Sequence, residues 1–390
     1  MGCSRGAYGY LVAIICLTVN VVVEAGQYTF TKIADSSGNL FVDLDQAASI
    51  NNQGTVTFVG DKADGTIGIY TWSNGLITPV IDNSGPISAF KAPVINNNGL
   101  IAFRGTRKTG GDAIYTVTSD GVLTPVAEAS GNLILQGTPA LNDAGNVVFA
   151  ATDNGVNSIL SGNGGALSTF VAQGGSEGIV TIGSKLSINS SGVVAFTSQT
   201  SAGTAAVFTH APGQNGSTLI ADSSGSFLFF NNPSINDSGT VAFDAATNSS
   251  RGIYVRAPGQ PLTTYTDTNS GFQFVSAPTL NNSGEVFYEG NVSNNLNTFF
   301  AFDGPSPTNG VIPHTLFGLP ATQLSFGYDL LNDSGQVVFG YELNSGDFGV
   351  GLASPVPEPA FAVGAVLATV LLWRRRSVGL LSAIGRSAMG

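Results

Sequence analysis

The sequence has 390 residues, with 14 Lys or Arg against 25 Asp or Glu, 51 glycines and only 10% charged residues, so it is neutral-polar and β-rich by composition. No long amphipathic helix pattern runs through it. With the two ends set aside, nine basic residues stand against 23 acidic ones, a balance near −14 that argues against nucleic acid or an anionic membrane face as a partner of the middle.

At the N-terminus, Arg5 precedes an apolar run over residues 11–23, and Val23-Glu24-Ala25 places small residues where a signal peptidase cuts. Residues 1–25 therefore read as a secretory signal. Cys3 and Cys16, the two cysteines of the sequence, fall inside it, so the mature chain is expected to hold no disulfide and no thiolate site. A lipoprotein reading of Ile14-Ile15-Cys16 is poorer, because the residue before the Cys should be small.

Residues 26–353 repeat one phrase, clearest at Ile235-Asn236-Asp237-Ser238-Gly239-Thr240-Val241-Ala242-Phe243. Its Asn recurs at Asn51, Asn96, Asn142, Asn189, Asn236, Asn281 and Asn332, at intervals of 45 to 51 residues. Each copy reads as a strand ending, a tight turn and a strand beginning. The glycines of the phrase, Gly54, Gly99, Gly145, Gly192, Gly239, Gly284 and Gly335, supply a left-handed backbone, and the Asn carbonyl accepts from turn amides. After each Gly, Val or Ile and then Phe (Tyr288 in the sixth copy) share one face by the two-residue period. The residue between them, such as Thr57, Ala102 or Val338, is small or apolar too, which predicts a strand covered on both sides by neighbouring sheets.

A second strand follows at Ile69-Tyr70, Ile114-Tyr115, Ile159-Leu160, Val207-Phe208, Ile253-Tyr254, Phe299-Phe300 and Val350-Gly351-Leu352. A third comes at Ile77-Thr78-Pro79-Val80 and its equivalents, and a fourth, such as Phe227-Leu228-Phe229-Phe230, leads into the next Asn turn. Four strands per period of about 47 residues is the pattern of a propeller blade. The fold predicted is all-β, a seven-bladed β-propeller with four-stranded blades, flanked by a helical N-terminal signal and a C-terminal helix. The last copy, with its inner strand near residues 326–331, lacks a fourth strand, whereas a spare strand at 28–33 precedes the first. Pairing residues 28–33 antiparallel to 348–352 would complete the last blade and cover an otherwise open edge.

Residues 354–376 form a separate unit. Val356-Pro357-Glu358-Pro359 precedes an apolar run over 360–373 and the cluster Arg374-Arg375-Arg376, with a short tail at 377–390. As a helix the run would be about 21 Å long, against about 30 Å of bilayer hydrocarbon, so it is marginal as a permanent anchor. The arginines would hold its end on the cytoplasmic side. This order of parts resembles the PEP-CTERM sorting signal, by which exosortase systems of Gram-negative bacteria process exported proteins. The resemblance implies signal peptidase and an exosortase-type enzyme as partners, transient contact with the inner membrane, and a cell-surface or extracellular-matrix destination. The tail beyond the arginines departs from the family pattern and bears on processing more than on export. The repeats resemble the tandem NxxGxxAF repeat proteins that carry such tags, and more loosely the TolB-like propeller repeat, whose order Pro233-Ser234-Ile235-Asn236 through Phe243 to Gly252-Ile253-Tyr254 follows. That resemblance carries no catalytic residues.

Gly174-Gly175-Ser176-Glu177-Gly178 matches the nucleophile-elbow pattern, but it occupies the position of a turn between strands, and the two histidines, His210 and His314, lie two repeats apart. No His or Cys metal spacing occurs. Asp35, Asp82, Asp222 and Asp267 each open a turn at equivalent places; on one rim they are candidate ligands for Ca²⁺ or a sugar, while Asx turns account for them with no ligand. The Asn-x-Ser or Asn-x-Thr sequences, including Asn215 and Asn291, read as ordinary loop residues. The function expected is a non-enzymatic exported propeller with a binding or structural face, with extracellular polysaccharide as a candidate ligand. The alternatives are a polysaccharide hydrolase or lyase using rim carboxylates, and a membrane-held periplasmic assembly or sensor protein.

Overall fold

The computed structural model describes residues 28–38, 40–291, 300–302, 315–327 and 329–356. Within them the chain forms seven antiparallel sheets arranged as a β-propeller. In six sheets the strand leading into an Asn turn is innermost and the following strands lie progressively further out; in the last, the two-residue strand Thr315–Leu316 pairs beyond Leu319–Ser325. The sheet of the first period takes Asp43–Ile50, Val56–Asp61, Ile67–Ser73 and Leu76–Asp82 in that order. The leader, the C-terminal run and its arginines lie outside the described residues. Among those described, no helix is long and apolar enough to cross a membrane.

The second strand of each blade carries the core. Phe58, Phe103, Phe149, Phe196, Phe243, Tyr288 and Phe339 are all at most 1% exposed, and so are the residues on the opposite face, Thr57, Ala102, Val148, Ala195, Ala242, Phe287 and Val338. Burial on both faces follows from the apolar pattern, because each sheet packs between two others. The ring of the second strand meets an aromatic directly across on the third: Phe58 on Tyr70 at 5.9 Å, Phe103 on Tyr115 at 5.6 Å, Phe196 on Phe208 at 5.7 Å and Phe243 on Tyr254 at 6.0 Å. Each such pair adds about 0.5–1.5 kcal/mol beyond its area.

The N-terminal strand Tyr28–Asp35 pairs antiparallel with Phe348–Pro355, with Tyr28 opposite Pro355 and Asp35 opposite Gly349. The last repeat shows why this strand belongs there. Its third strand has Gly351 where five of the others carry an aromatic and one carries Leu160, and a Cβ at 351 would stand 2.6 Å from the Phe339 ring. Phe30 instead reaches Phe339 edge-on at 6.4 Å, so the first strand returns the missing aromatic contact.

Three expectations need correction. Six sheets have four or more strands where seven four-stranded blades are predicted; the sixth repeat shows three, Phe274–Leu280, Val286–Asn291 and Phe300–Phe302, and residues 303–314 beyond them lie outside the description. The inner strand of the last repeat is Leu319–Ser325 rather than 326–331. There Gly327 sits against the Ala48 backbone and Asp329 adopts a left-handed φ of 51°, so pairing lapses until Leu331 bridges Val337. Similar bulges interrupt the other inner strands, with Ala92, Asn232 and Ala277 left-handed just before a Pro or, at Gly137, one residue earlier. Asn291 is also not a loop residue: it ends a strand and is buried.

Candidate functional site

Strand alternation gives the propeller two faces: one with the Asn turns and the turns from third to fourth strand, the other with the remaining turns. The seven turn glycines have φ between 71° and 86°, the left-handed backbone that the turn needs. Each buried Asn then does two things. Its Oδ1 accepts from amides of its own turn, as Asn51 does from Gln53 at 3.1 Å and Thr55 at 2.9 Å. Its Nδ2 donates to the backbone carbonyl of the Asn in the next repeat, from Asn51 to Asn96, Asn142, Asn189, Asn236, Asn281, Asn332 and back to Asn51, at 2.9–3.3 Å. The ring of seven amides is closed.

The next residue of the phrase makes a second ring at the mouth of the axial channel. The amide of Asn52 donates to Asn97 Oδ1, that of Asn97 to Asp143, of Ser190 to Asp237, of Asp237 to Asn282, and of Asn282 to Asp333, all at 2.8 Å; Asp333 returns to Asn52 at 2.9 Å. The remaining step falls on Ser190, which has no side-chain carbonyl to offer. The mouth encloses about 140 Å³, and beneath it Ile50, Ile95, Leu141, Ile188, Ile235 and Leu280 form an aliphatic collar. These second-ring residues carry a sequence signal that was available: the position after the Asn is Asn, Asp or Ser in every copy.

Below the collar the channel holds charge. Lys185 and Asp329 line a cavity of about 20 Å³, room for roughly one water and too small for a sugar. Asp329 keeps water-accessible surface inside the channel although protein surrounds it; that enclosure raises its pKa against the opposing pull of Lys185, and burial lowers the Lys185 pKa. Burial likewise pushes Glu289 up to about 7, opposed by Lys185 and reinforced by Asp244. Asp244 itself is fully buried and paired with Arg251 at 2.6 Å and Asn232 at 2.8 Å. Nothing in the repeat phrase marks Lys185 or Asp329, whereas Asp244 and Glu289 share the position directly after the Phe or Tyr, which is Arg104 in the second copy and uncharged in the other four.

The rim carboxylates are placed differently. Asp35, Asp82, Asp222 and Asp267 end the outer strands of four separate sheets, on the face opposite the Asn turns. Each is engaged within its own turn: Asp82 accepts from the Ser84 amide at 2.8 Å, Asp222 from the Ser224 amide and hydroxyl, Asp267 from the Asn269 amide at 3.0 Å, and Asp35 from the Ser37 hydroxyl and Lys32. The structure does not bring them together, and no group of three potential metal ligands occurs among the described residues. Ser176 likewise lies in a turn, between Ser168–Ala172 and Ile179–Ile182, with no helix behind it. Glu177 accepts from the Ser217 amide, and Ser217 Oγ lies 3.2 Å from His210 Nδ1; burial lowers the His210 pKa. His210 thus meets Ser217 and not Ser176. His314 lies outside the described residues.

No family model and no curated protein matches the sequence. Among solved structures the chain is similar to a prolyl endopeptidase, from a study of two such enzymes, with a TM-score of 0.53 and 12% identity over 78% of this chain and 47% of that one. It thus spans about half the length of that protein. It is also similar to a putative TolB from Agrobacterium tumefaciens (TM-score 0.41, 16% identity, 57% of this chain and 80% of that one) and to a gluconolactonase from Xanthomonas campestris (TM-score 0.39, 11% identity, 86% and 99%). The likeness to the prolyl endopeptidase supports the propeller fold and nothing finer; the other two carry no argument.

Proposed function

We propose that the chain is an exported, non-enzymatic propeller protein of seven blades, processed through the signal at residues 1–25 and the C-terminal sorting segment 354–376, and placed at the cell surface or in the extracellular matrix of a Gram-negative-type bacterium. Its role is binding or structural, and its ligand-facing feature is the axial mouth on the Asn-turn face. The observation that carries this reading is how the repeat uses its polar atoms. The conserved-in-sequence-position amides of the seven copies are spent on blade-to-blade bonds, which make a rigid ring, while a mouth lined by amides and carboxylates stays open at about 140 Å³. Such a surface suits a neutral polyhydroxylated polymer, whose hydroxyls both donate to carboxylates and accept from amides. The reading expects no metal or organic cofactor.

Two measurements test it. Mass spectrometry of the mature protein should find a chain starting near residue 26 and ending after Pro359; an intact chain of 390 residues recovered from the inner membrane would remove the sorting reading. A glycan-binding screen of residues 26–355 should return extracellular polysaccharides, and binding should fall when Asp143, Asp237 and Asp333 are changed to Asn. Binding unaffected by those changes would move the ligand away from the mouth.

A further inference from the structure

The second ring at the mouth is open at one step. Six of its seven positions are Asn or Asp, and each offers Oδ1 to the amide of the blade before; the seventh is Ser190, whose hydroxyl is one bond closer to its own backbone. The amide that would reach it, that of Asp143, donates to no group among the described residues. In the first ring the same two blades share the longest of the seven bonds, Asn142 Nδ2 to the Asn189 carbonyl at 3.3 Å. The carboxylates mark this step from its other side. Asn97 holds both oxygens of Asp143, and Asn282 and Asn52 hold both of Asp333. Asp237 accepts the Ser190 amide on Oδ1 at 2.8 Å, and its Oδ2 accepts from no group among the described residues. A donor on one side of Ser190 and a carboxylate oxygen on the other thus both open into the cavity of about 140 Å³ that Asp143, Ser190 and Asp237 line.

We infer that this step is the specificity-determining subsite of the mouth. A vicinal pair of hydroxyls on a neutral glycan docks over Ser190: one oxygen accepts from the Asp143 amide, and the neighbouring hydroxyl donates to Asp237 Oδ2. The inference rests on the reading of the mouth as a polysaccharide site and adds where on the ring the polymer is read. A ring closed at all seven steps would offer a polymer seven near-equivalent registers, whereas one open step leaves one. A glycan lacking either hydroxyl of the pair would cover the amide or the carboxylate without pairing it, which is how a polar site rejects a near-isostere.

The test is Ser190→Asn, which supplies at this step the side chain that Asn52, Asn97 and Asn282 supply at theirs, so the fold is kept. Binding of neutral glucan and mannan oligosaccharides to the full-length chain should weaken about tenfold, the worth of about one hydrogen bond, while the melting temperature does not fall. Ser190→Ala leaves the step open and should weaken binding by no more than about threefold. O-methylated forms of the same oligosaccharides, which accept but cannot donate, should bind the unaltered chain at least about tenfold more weakly. Hydrogen exchange resolved to single residues should find the Asp143 amide faster than those of Asn97 and Asp237, and slowed when oligosaccharide is bound. Binding unchanged by Ser190→Asn, yet lost when Asp143, Asp237 and Asp333 together become Asn, would overturn the inference and leave the mouth reading standing. Equal losses in the Asn and Ala variants would also overturn it, placing recognition in the serine hydroxyl alone. A full-length chain that binds none of these oligosaccharides would overturn both.

Discussion

The two faces of the propeller use the same residue types to different ends. On the Asn-turn face, near the axis, Asn and Asp side chains bond to the backbone of adjacent blades: Asn236 donates to the Asn281 carbonyl of the next one, and Asp237 accepts from the Ser190 amide of the one before. On the rim of the other face, Asp82 and Asp222 bond to their own turns. Distance from the axis decides which. Inner strands of adjacent blades converge until a short amide spans the gap at about 3 Å, whereas outer strands splay and leave a short side chain with local partners alone. The faces also differ in charge: among the described residues Arg256 is the single basic side chain on the Asn-turn face, beside Asp120, Asp143, Asp237, Glu285 and Asp333. A shared residue type therefore says little about role until its radius in the ring is known.

The largest effect should come from neither face but from the seam that joins the ring. Deleting residues 26–34 removes the edge strand, uncovers Phe348–Pro355 and strips Ile33 and the partly buried Phe30 from the closing blade, at a cost of up to about 6 kcal/mol by burial of the two side chains. Chemical denaturation should show it, beside a surface-loop deletion of equal length costing far less; equal losses would mean that the seam does not carry closure.

The channel beneath the mouth should add a pH dependence that the Asn ring lacks. Glu289 has a folded pKa of about 7 against an ordinary value of 4.5, so between those values the folded chain keeps a proton that the unfolded chain has released. Its contribution is greatest below pH 4.5 and is lost as pH rises through 7, by at most about 3 kcal/mol. Glu289→Gln should flatten the profile and stabilise the protein at pH 8, while changes confined to the Asn ring should leave the profile's shape unchanged. Denaturation midpoints across pH 4 to 8 would decide, and an unaltered slope in the Gln variant would place the titration elsewhere.

Sharper still is a matched pair across the faces. Asn236→Ala removes a blade-to-blade bond and two acceptor contacts in a buried turn and should cost about 2–3 kcal/mol, whereas Asp222→Ala should cost about 1 kcal/mol or less. Similar losses from both would erase the distinction drawn between axis and rim. The smallest effect expected is that of Ca²⁺. Because the four rim carboxylates sit in different sheets with turn donors already on them, millimolar Ca²⁺ should leave the melting temperature unchanged, and calorimetry should stay silent. A calcium-dependent rise in melting temperature that is lost in Asp82→Asn or Asp222→Asn would restore them as ligands.

Much of the ring was legible in the chain because the repeat is local. The two-residue alternation around Phe243 marks a strand buried on both faces, Gly239 marks a left-handed turn, and the spare strand ahead of the first period has a vacancy to fill after the last. All three depend on neighbours within one period or on counting periods. What the sequence could not supply is contact between periods. The Asn51 side chain, read as a turn acceptor, is equally a donor to Asn96, and only closing the ring sets residues 45 positions apart within 3.1 Å. Lys185, Asp329 and Glu289 come from the fourth, seventh and sixth copies with no shared motif, and the axis alone gathers them. The inner strand of the last repeat shifted because Gly327 must fit against Ala48 of the first. Local periodicity determines each blade; the meeting of blades at the axis, where backbone approaches backbone, is decided by the tertiary structure.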